Sequence, residues 1–227
     1  ARMARRRHHI VRNVILIIVL AVVVCAAVLG VGAAHVYTQS LEARTQYVTL
    51  SQEISSGDVD GAKTTTSELK ASIGEIVSEL DSPLWTIAGK LPVLGTEVST
   101  ARTLASTAST LVNDAISPVV EGMSTLQDDG AIDSDGAVSV SGLLSNPVDT
   151  TSMLSSVSSA ESIVSACQET VSALPASQIP QLESAREEMT SGLTSTDTTL
   201  GEYSSQLEAV SQATSSLSSL VSSATGA

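Results

Sequence analysis

Apolar residues recur along this chain at intervals of three and four, after an opening run that is apolar without interruption. That run, Val14 to Ala34, reads VILIIVLAVVVCAAVLGVGAA and holds no charged or strongly polar side chain. At ~1.5 Å per residue its 21 residues make a helix of roughly 31 Å, the thickness of a bilayer's hydrocarbon core. Val and Ile are mediocre helix formers in water, but in lipid only a helix satisfies every backbone group internally. The pattern predicts a transmembrane helix over 14–36, preceded by a short basic tail over 1–13.

Downstream, the three-four spacing predicts long helices separated by short breaks. The first runs from about Thr38 to Ser56, with Leu41, Val48, Leu50 and Ile54 as its apolar stripe, and Ser55-Ser56-Gly57-Asp58 ends it. The second runs from Val59 to Leu80, with Ala62, Leu69, Ile73, Ile76, Val77 and Leu80 inward. Together they predict a membrane-proximal helical hairpin over 37–80.

A short helix is then expected with Ser82 as its cap and Pro83 at its first position, stopped by Gly89 and Pro92. Thr96 is expected to cap a long helix over Glu97 to Leu126. Its stripe is Val98, Ala101, Leu104, Ala108, Leu111, Ala115, Val119, Met123 and Leu126, and Pro118 should kink or break it. Residues 127–148, rich in Asp, Gly and Asn, read as an acidic loop, with Val138 and Val140 as a candidate extended piece.

Asp149 or Thr150 should cap the next helix, which buries Met153, Val157, Ala160, Val164, Cys167, Val171 and Leu174 and ends at Pro175. The last helix, about Gln178 to Ser223, carries a heptad seam of Leu200, Tyr203, Leu207, Val210, Thr214, Leu217 and Val221. Residues 149–223 thus form a second hairpin, followed by a tail over 224–227. The fold class expected is all-α: one transmembrane helix, then an elongated extracellular bundle of antiparallel long helices.

Charge gives the anchor a direction. Arg2, Arg5, Arg6, Arg7 and Arg12 precede it, and no Lys or Arg follows until Arg44. The excess of arginine marks the cytoplasmic side, so Arg5, Arg6, Arg7 and Arg12 set the topology and the rest lies outside. Beyond residue 36 all 24 acidic residues face only six basic ones, a net of −18. Such a surface excludes nucleic acid as a partner, because binding it needs Lys and Arg to replace phosphate counterions. The rival to an anchor is a cleaved signal peptide ending at Gly32, Ala33 and Ala34. A signal's apolar region is typically ~7–15 residues, which favours the uncleaved anchor.

Composition narrows the chemistry. The chain has no Phe, a single Trp at position 85, three His and two Cys. Beyond the apolar run only His35 and Cys167 remain, so no His-based triad, Cys–His pair or zinc cluster can be assembled. Cys25 lies in the span and Cys167 outside it, so they cannot pair within one chain. With Gly136 at the sixth position of a calcium loop, Asp133 and Asp135 fit, but Ala131 and Gly142 stand where the first and twelfth ligands belong. No metal, cofactor or catalytic residue is predicted. Trp85 is expected to wedge under the Pro83–Gly95 elbow.

Pro83 and Trp85 are followed by Leu91-Pro92-Val93-Leu94-Gly95, then by Ala101-Arg102-Thr103-Leu104 and Ile116-Ser117-Pro118-Val119. In this order the stretch from about Leu41 to Val210 resembles the N-terminal half of the Domain of Unknown Function 4012 family, membrane-anchored envelope proteins common in actinobacteria. The resemblance groups Pro83, Trp85, Leu91, Pro92, Gly95 and Arg102 as one structural elbow. It implies a Gram-positive envelope, with surface polysaccharide assembly as an associated process, and no established activity. In that family a second part follows, with Arg-Tyr, Gln-Asn, Glu-x-Arg and Gly-Gly elements. This chain stops at Ala227 before them and does not begin with Met, so a fragment is expected.

The functional expectation is a non-catalytic scaffold or interaction module held at the lipid bilayer, with envelope proteins or polysaccharide as partners. The alternative is a helical accessory part of an envelope enzyme for surface polysaccharide assembly. Oligomeric state cannot be read from the sequence.

Overall fold

The computed structural model describes residues 34–54, 56–91, 94–130 and 147–225. Only the backbone is described for 147–150 and for stretches beyond residue 201. The basic tail with Arg5, Arg6, Arg7 and Arg12, residues 14–33 of the predicted span and most of the acidic loop lie outside the described residues. All regular elements among the described residues are helices: α1 (34–54), α2 (Val59–Leu80), α3 (Pro83–Ala88), α4 (Gly95–Thr110), a π-helical turn (Leu111–Ile116), α5 (Ser117–Asp128), α6 (Pro147–Ser172) and α7 (Pro180–Thr225). None of them is long and apolar enough to cross a membrane.

The chain reverses between α1 and α2 within two residues. Gly57 takes a left-handed φ of 76°, and its N–H bonds the Ile54 carbonyl at 3.2 Å while the Asp58 N–H bonds that of Glu53 at 2.9 Å. These two bonds close α1 in a Schellman motif, which needs a glycine at its left-handed position. The Asp58 carboxylate then accepts the Gly61 N–H at 2.9 Å and caps α2. One dipeptide therefore ends one helix and begins the next.

α2 runs back against α4 and α5, α6 packs antiparallel on them, and α7 returns along α6 beside α1. Thr107 lies at Cys167 and Gly122 at Met153, which fixes the antiparallel register of α4–α5 against α6. Arg44 pairs with Glu188 at 3.3 Å, and the Tyr47 hydroxyl donates to the Gly192 carbonyl at 3.2 Å, lying 2.9 Å from Thr196 Oγ1. Residue numbers rise together across this contact, so α1 and α7 are parallel. The core is aliphatic, centred on α6, where Val157, Val164 and Val171 are wholly buried among Leu69, Leu111 and Leu193.

The inward stripes expected for the long helix and for α6 are buried or half-buried throughout. The α1 stripe differs. Leu41 and Val48 are exposed, at 44% and 51%, and the inward face is Ala43, Tyr47, Leu50 and Ile54. A Tyr outranks a Val there because its ring covers more area and its hydroxyl finds acceptors on α7.

Three predicted caps also differ. Ser82 precedes α3 but makes no side-chain cap bond. α4 begins at Gly95 after Leu94, which places Thr96 inside the first turn. α6 begins at Pro147, before Asp149 and Thr150, because a proline at the first position lacks only an N–H that would have no helical partner.

Pro118 neither breaks nor ends the long helix. Its missing N–H would orphan the Asp114 carbonyl, and its ring would strike it. The π turn absorbs both, with the Ser117 N–H bonding the Val112 carbonyl one residue further back. The extra residue rotates the downstream helix, so Val112, Ile116 and Val120 are buried and Val119 is only half-buried. An apolar cavity of about 90 Å³ lies beside this turn, lined by Tyr47, Leu50, Ala115, Ile116, Ala160 and Leu200 among others. Within the predicted heptad seam, Leu200 is buried, and the side chains of Tyr203, Leu207, Val210, Thr214, Leu217 and Val221 lie outside the described residues.

The inward face of α1 sets a mutational contrast. Leu50→Ala should cost about 2–5 kcal/mol, whereas Leu41→Ala should stay within about 0.5 kcal/mol. Urea denaturation followed by helical circular dichroism measures both; equal losses would put Leu41 back on the buried side.

Candidate functional site

The end of the bundle that carries α3 gathers the polar side chains with the most specific long-range bonds. α2 ends at Leu80, whose carbonyl has no helical partner left. Arg102, about two turns into α4, donates to it through Nε at 2.9 Å and Nη2 at 2.8 Å, and Nη2 also reaches Thr86 Oγ1 at 3.0 Å. One guanidinium thereby ties the C-terminus of α2 to α3 and α4, in a forked geometry that only Arg provides. Its contact with Asp81 at 3.9 Å adds little, since that carboxylate is 71% exposed.

A second clasp closes the α6–α7 loop onto the same end. Glu97, in the first turn of α4 and nearly buried, accepts the Ser177 hydroxyl and, at 2.9 Å, the Gln178 N–H. The Ser177 N–H bonds Glu183 at 2.9 Å, and Glu183 in turn pairs with Arg186. The Arg186 hydrogen bond, then the Ser177 N–H, hold the Glu183 carboxyl below the usual carboxylate range, and Arg186 is raised by the same bond. Every charge in this clasp has a partner, and together they fix the loop onto α4.

The predicted elbow residues have distinct placements. Pro83 opens α3 and is exposed; Leu91 is 46% exposed; Pro92 lies outside the described residues. Gly95 is required by a close approach: a Cβ there would stand 2.7 Å from the Gly89 carbonyl oxygen. Trp85 is half-buried, and its indole Nε1 is buried with no partner among the described residues. Arg102 joins the elbow through Thr86. The roles of Glu97, Ser177, Gln178 and Glu183 are not legible in the sequence. A glutamate in a first helical turn is ordinary dipole compensation, and nothing local shows that it bonds a loop 80 residues away.

Elsewhere, Lys70 Nζ donates to Ser117 Oγ at 2.7 Å, and Ser117 donates on to Glu121 at 3.1 Å, joining α2 to α5. A shallow depression of about 590 Å³ runs along α7, lined by residues from Arg186 to Thr198. Thr190, Thr194 and Thr198 there already donate to carbonyls one turn back, so their hydroxyl protons are engaged. Cys167 is buried, 4.0 Å from the Thr107 carbonyl. Burial first, and the charge of Asp114 second, push its thiol up, which disfavours the thiolate that nucleophilic chemistry needs. Among the described residues no three His, Cys, Asp or Glu side chains cluster as metal ligands do. His35 is exposed at the start of α1.

The chain was compared with protein families, curated proteins and solved structures, and none of them matches it.

Two measurements check this geometry. Arg102→Ala should cost about 2 kcal/mol, and Arg102→Lys should recover only part of that, because an ammonium cannot fork. Full recovery by Lys would mean that charge alone matters. In a Cys25→Ser background, Cys167 should resist alkylation at neutral pH and react only at the rate of bundle opening. Immediate labelling of the native chain would contradict its burial.

Proposed function

We propose that this chain is a membrane-anchored helical module on the outer face of a Gram-positive cell envelope, acting by scaffolding or interaction. The observation that carries the reading is the asymmetry about the apolar run of 14–34: five arginines before it, and a net of −18 after it. α1 supports it, since residues 34–54, which continue directly from that run, are helical. The long-range polar bonds of the bundle support it as well. Arg102, Glu97, Lys70 and Tyr47 each bond between elements, so the polar groups with defined geometry serve to hold helices together. The strongly acidic exterior keeps such a module soluble at a crowded surface.

Protease treatment of intact cells tests the topology. An epitope placed after Ala227 should be lost while one placed before Arg5 is retained until the cells are lysed. Retention of both on intact cells would sink the reading.

A further inference from the structure

The bundle exposes its large apolar side chains unevenly. Among the described residues Tyr37, Leu41, Val48, Ile87, Leu91 and Ile179 are the exposed large hydrophobics, at 40% to 63%. Four of these positions, Tyr37, Ile87, Leu91 and Ile179, converge when the helices are aligned. Arg44 stands opposite Glu188. Residue 34 lies ten residues before Arg44, roughly 15 Å along α1, and Ile179 lies nine before Glu188, roughly 13 Å along the same direction. Residue 34 and Ile179 are therefore level to within one helical turn.

The elbow shares this level. Gln178 is bonded to Glu97 in the first turn of α4, and α3 immediately precedes α4. α2 returns from Gly57 over 22 residues, roughly 33 Å, and α1 spans 21 described residues, roughly 31 Å, so Leu80 also comes down beside the start of α1. Ile87, Leu91, Ile179 and Tyr37 thus occupy one end of the bundle. It is the end at which residue 34 follows the apolar run of 14–33.

We infer that this end is a membrane-docking face, in which α3 and the α6–α7 loop rest their apolar side chains in the bilayer interface beside the anchor. The inference rests on the anchored reading above. Two features argue for lipid as the occupant. The chain on the N-terminal side of residue 34 is long enough and apolar enough to place a bilayer directly against this end. Exposed Tyr37 and half-buried Trp85 both lie at this end, and both are ring types that favour the lipid–water interface. Its charges are mixed: Glu97 and Glu183 are bound within the loop clasp, while Glu79, Asp81 and Glu169, in or beside the last turns of α2 and α6, stand at this end together with Lys90. Docking of this kind is driven by apolar burial and needs no anionic lipid. It would hold the bundle at a fixed angle to the membrane.

Trp85 is the only tryptophan, so its emission reports this face alone. The full chain is reconstituted into phosphatidylcholine vesicles, with and without lipids brominated near the headgroup end of the acyl chain. Flotation with the vesicles is scored in parallel. The expected result is flotation together with loss of Trp85 emission in brominated vesicles and protection from aqueous iodide. Ile87→Glu with Leu91→Glu, both at exposed positions, should restore the emission while flotation and helical circular dichroism are retained. Flotation without quenching overturns the docking and leaves the anchor standing. Failure to float overturns the anchor and the docking with it. Protection from iodide without bromolipid quenching also overturns it, since Trp85 is half-buried within the bundle itself and that packing alone shields the ring.

Discussion

The bundle depends on the burial of one aliphatic seam, that of α6. Its wholly buried valines at 157, 164 and 171 are the surface on which α4, the π turn, α5 and α7 meet. The side chains involved are small on α6, and small residues such as Ala115, Thr107 and Gly122 stand among the leucines of the helices around it. Without phenylalanine the area buried per residue is modest. Stability of this kind comes from length, from many close contacts repeated along tens of ångströms. This is why long helices suit the composition and why a hydroxyl-rich sequence still builds a core. On the outer faces, threonines donate their hydroxyl to a carbonyl one turn back, as Thr190, Thr194 and Thr198 do.

Long helices with small side chains slide easily against one another, since one turn of the seam resembles the next. The long-range polar bonds give each pair a register. Tyr47 sets α1 on α7, Lys70 and Ser117 set α2 on α5, Arg102 sets the end of α2 on α4, and Glu97 sets the α6–α7 loop on α4. Their net energies are small beside the burial, but each is available in only one alignment. The π turn before Pro118 serves the same end by a different route. It keeps a continuous helix where proline would otherwise interrupt it, and it rotates α5 so that Val120 and Met123 meet α6.

The strongest of these bonds gather at the end of the bundle opposite the Gly57 reversal, where apolar side chains are also left uncovered. A face that is rigidly clasped and apolar differs from a frayed end. Arg102 and Glu97 hold α3 and the loop of Ile179 in place, so the exposure of Ile87, Leu91 and Ile179 is a property of the folded state.

Much of the architecture follows from local pattern. The three-four spacing of α4–α5 and of α6 predicted most of their buried faces, because a 3.6-residue period leaves one face, while the π turn added Val112, Ile116 and Val120 to it. Gly57 and Asp58 located the first reversal because their backbone and capping chemistry acts over a few residues. The acidic character of the exterior was likewise written in composition. Tertiary structure decided the rest. It chose Tyr47 over Val48 on α1, since a ring with acceptors waiting on α7 outweighs an isopropyl group with none. It met the kink or break expected at Pro118 with a π turn, which the contacts of α2 and α6 on both sides accompany. It also gave Glu97 and Arg102 their partners, which lie up to 81 positions away. A local pattern specifies which side of a helix is buried; only the packed bundle specifies against what.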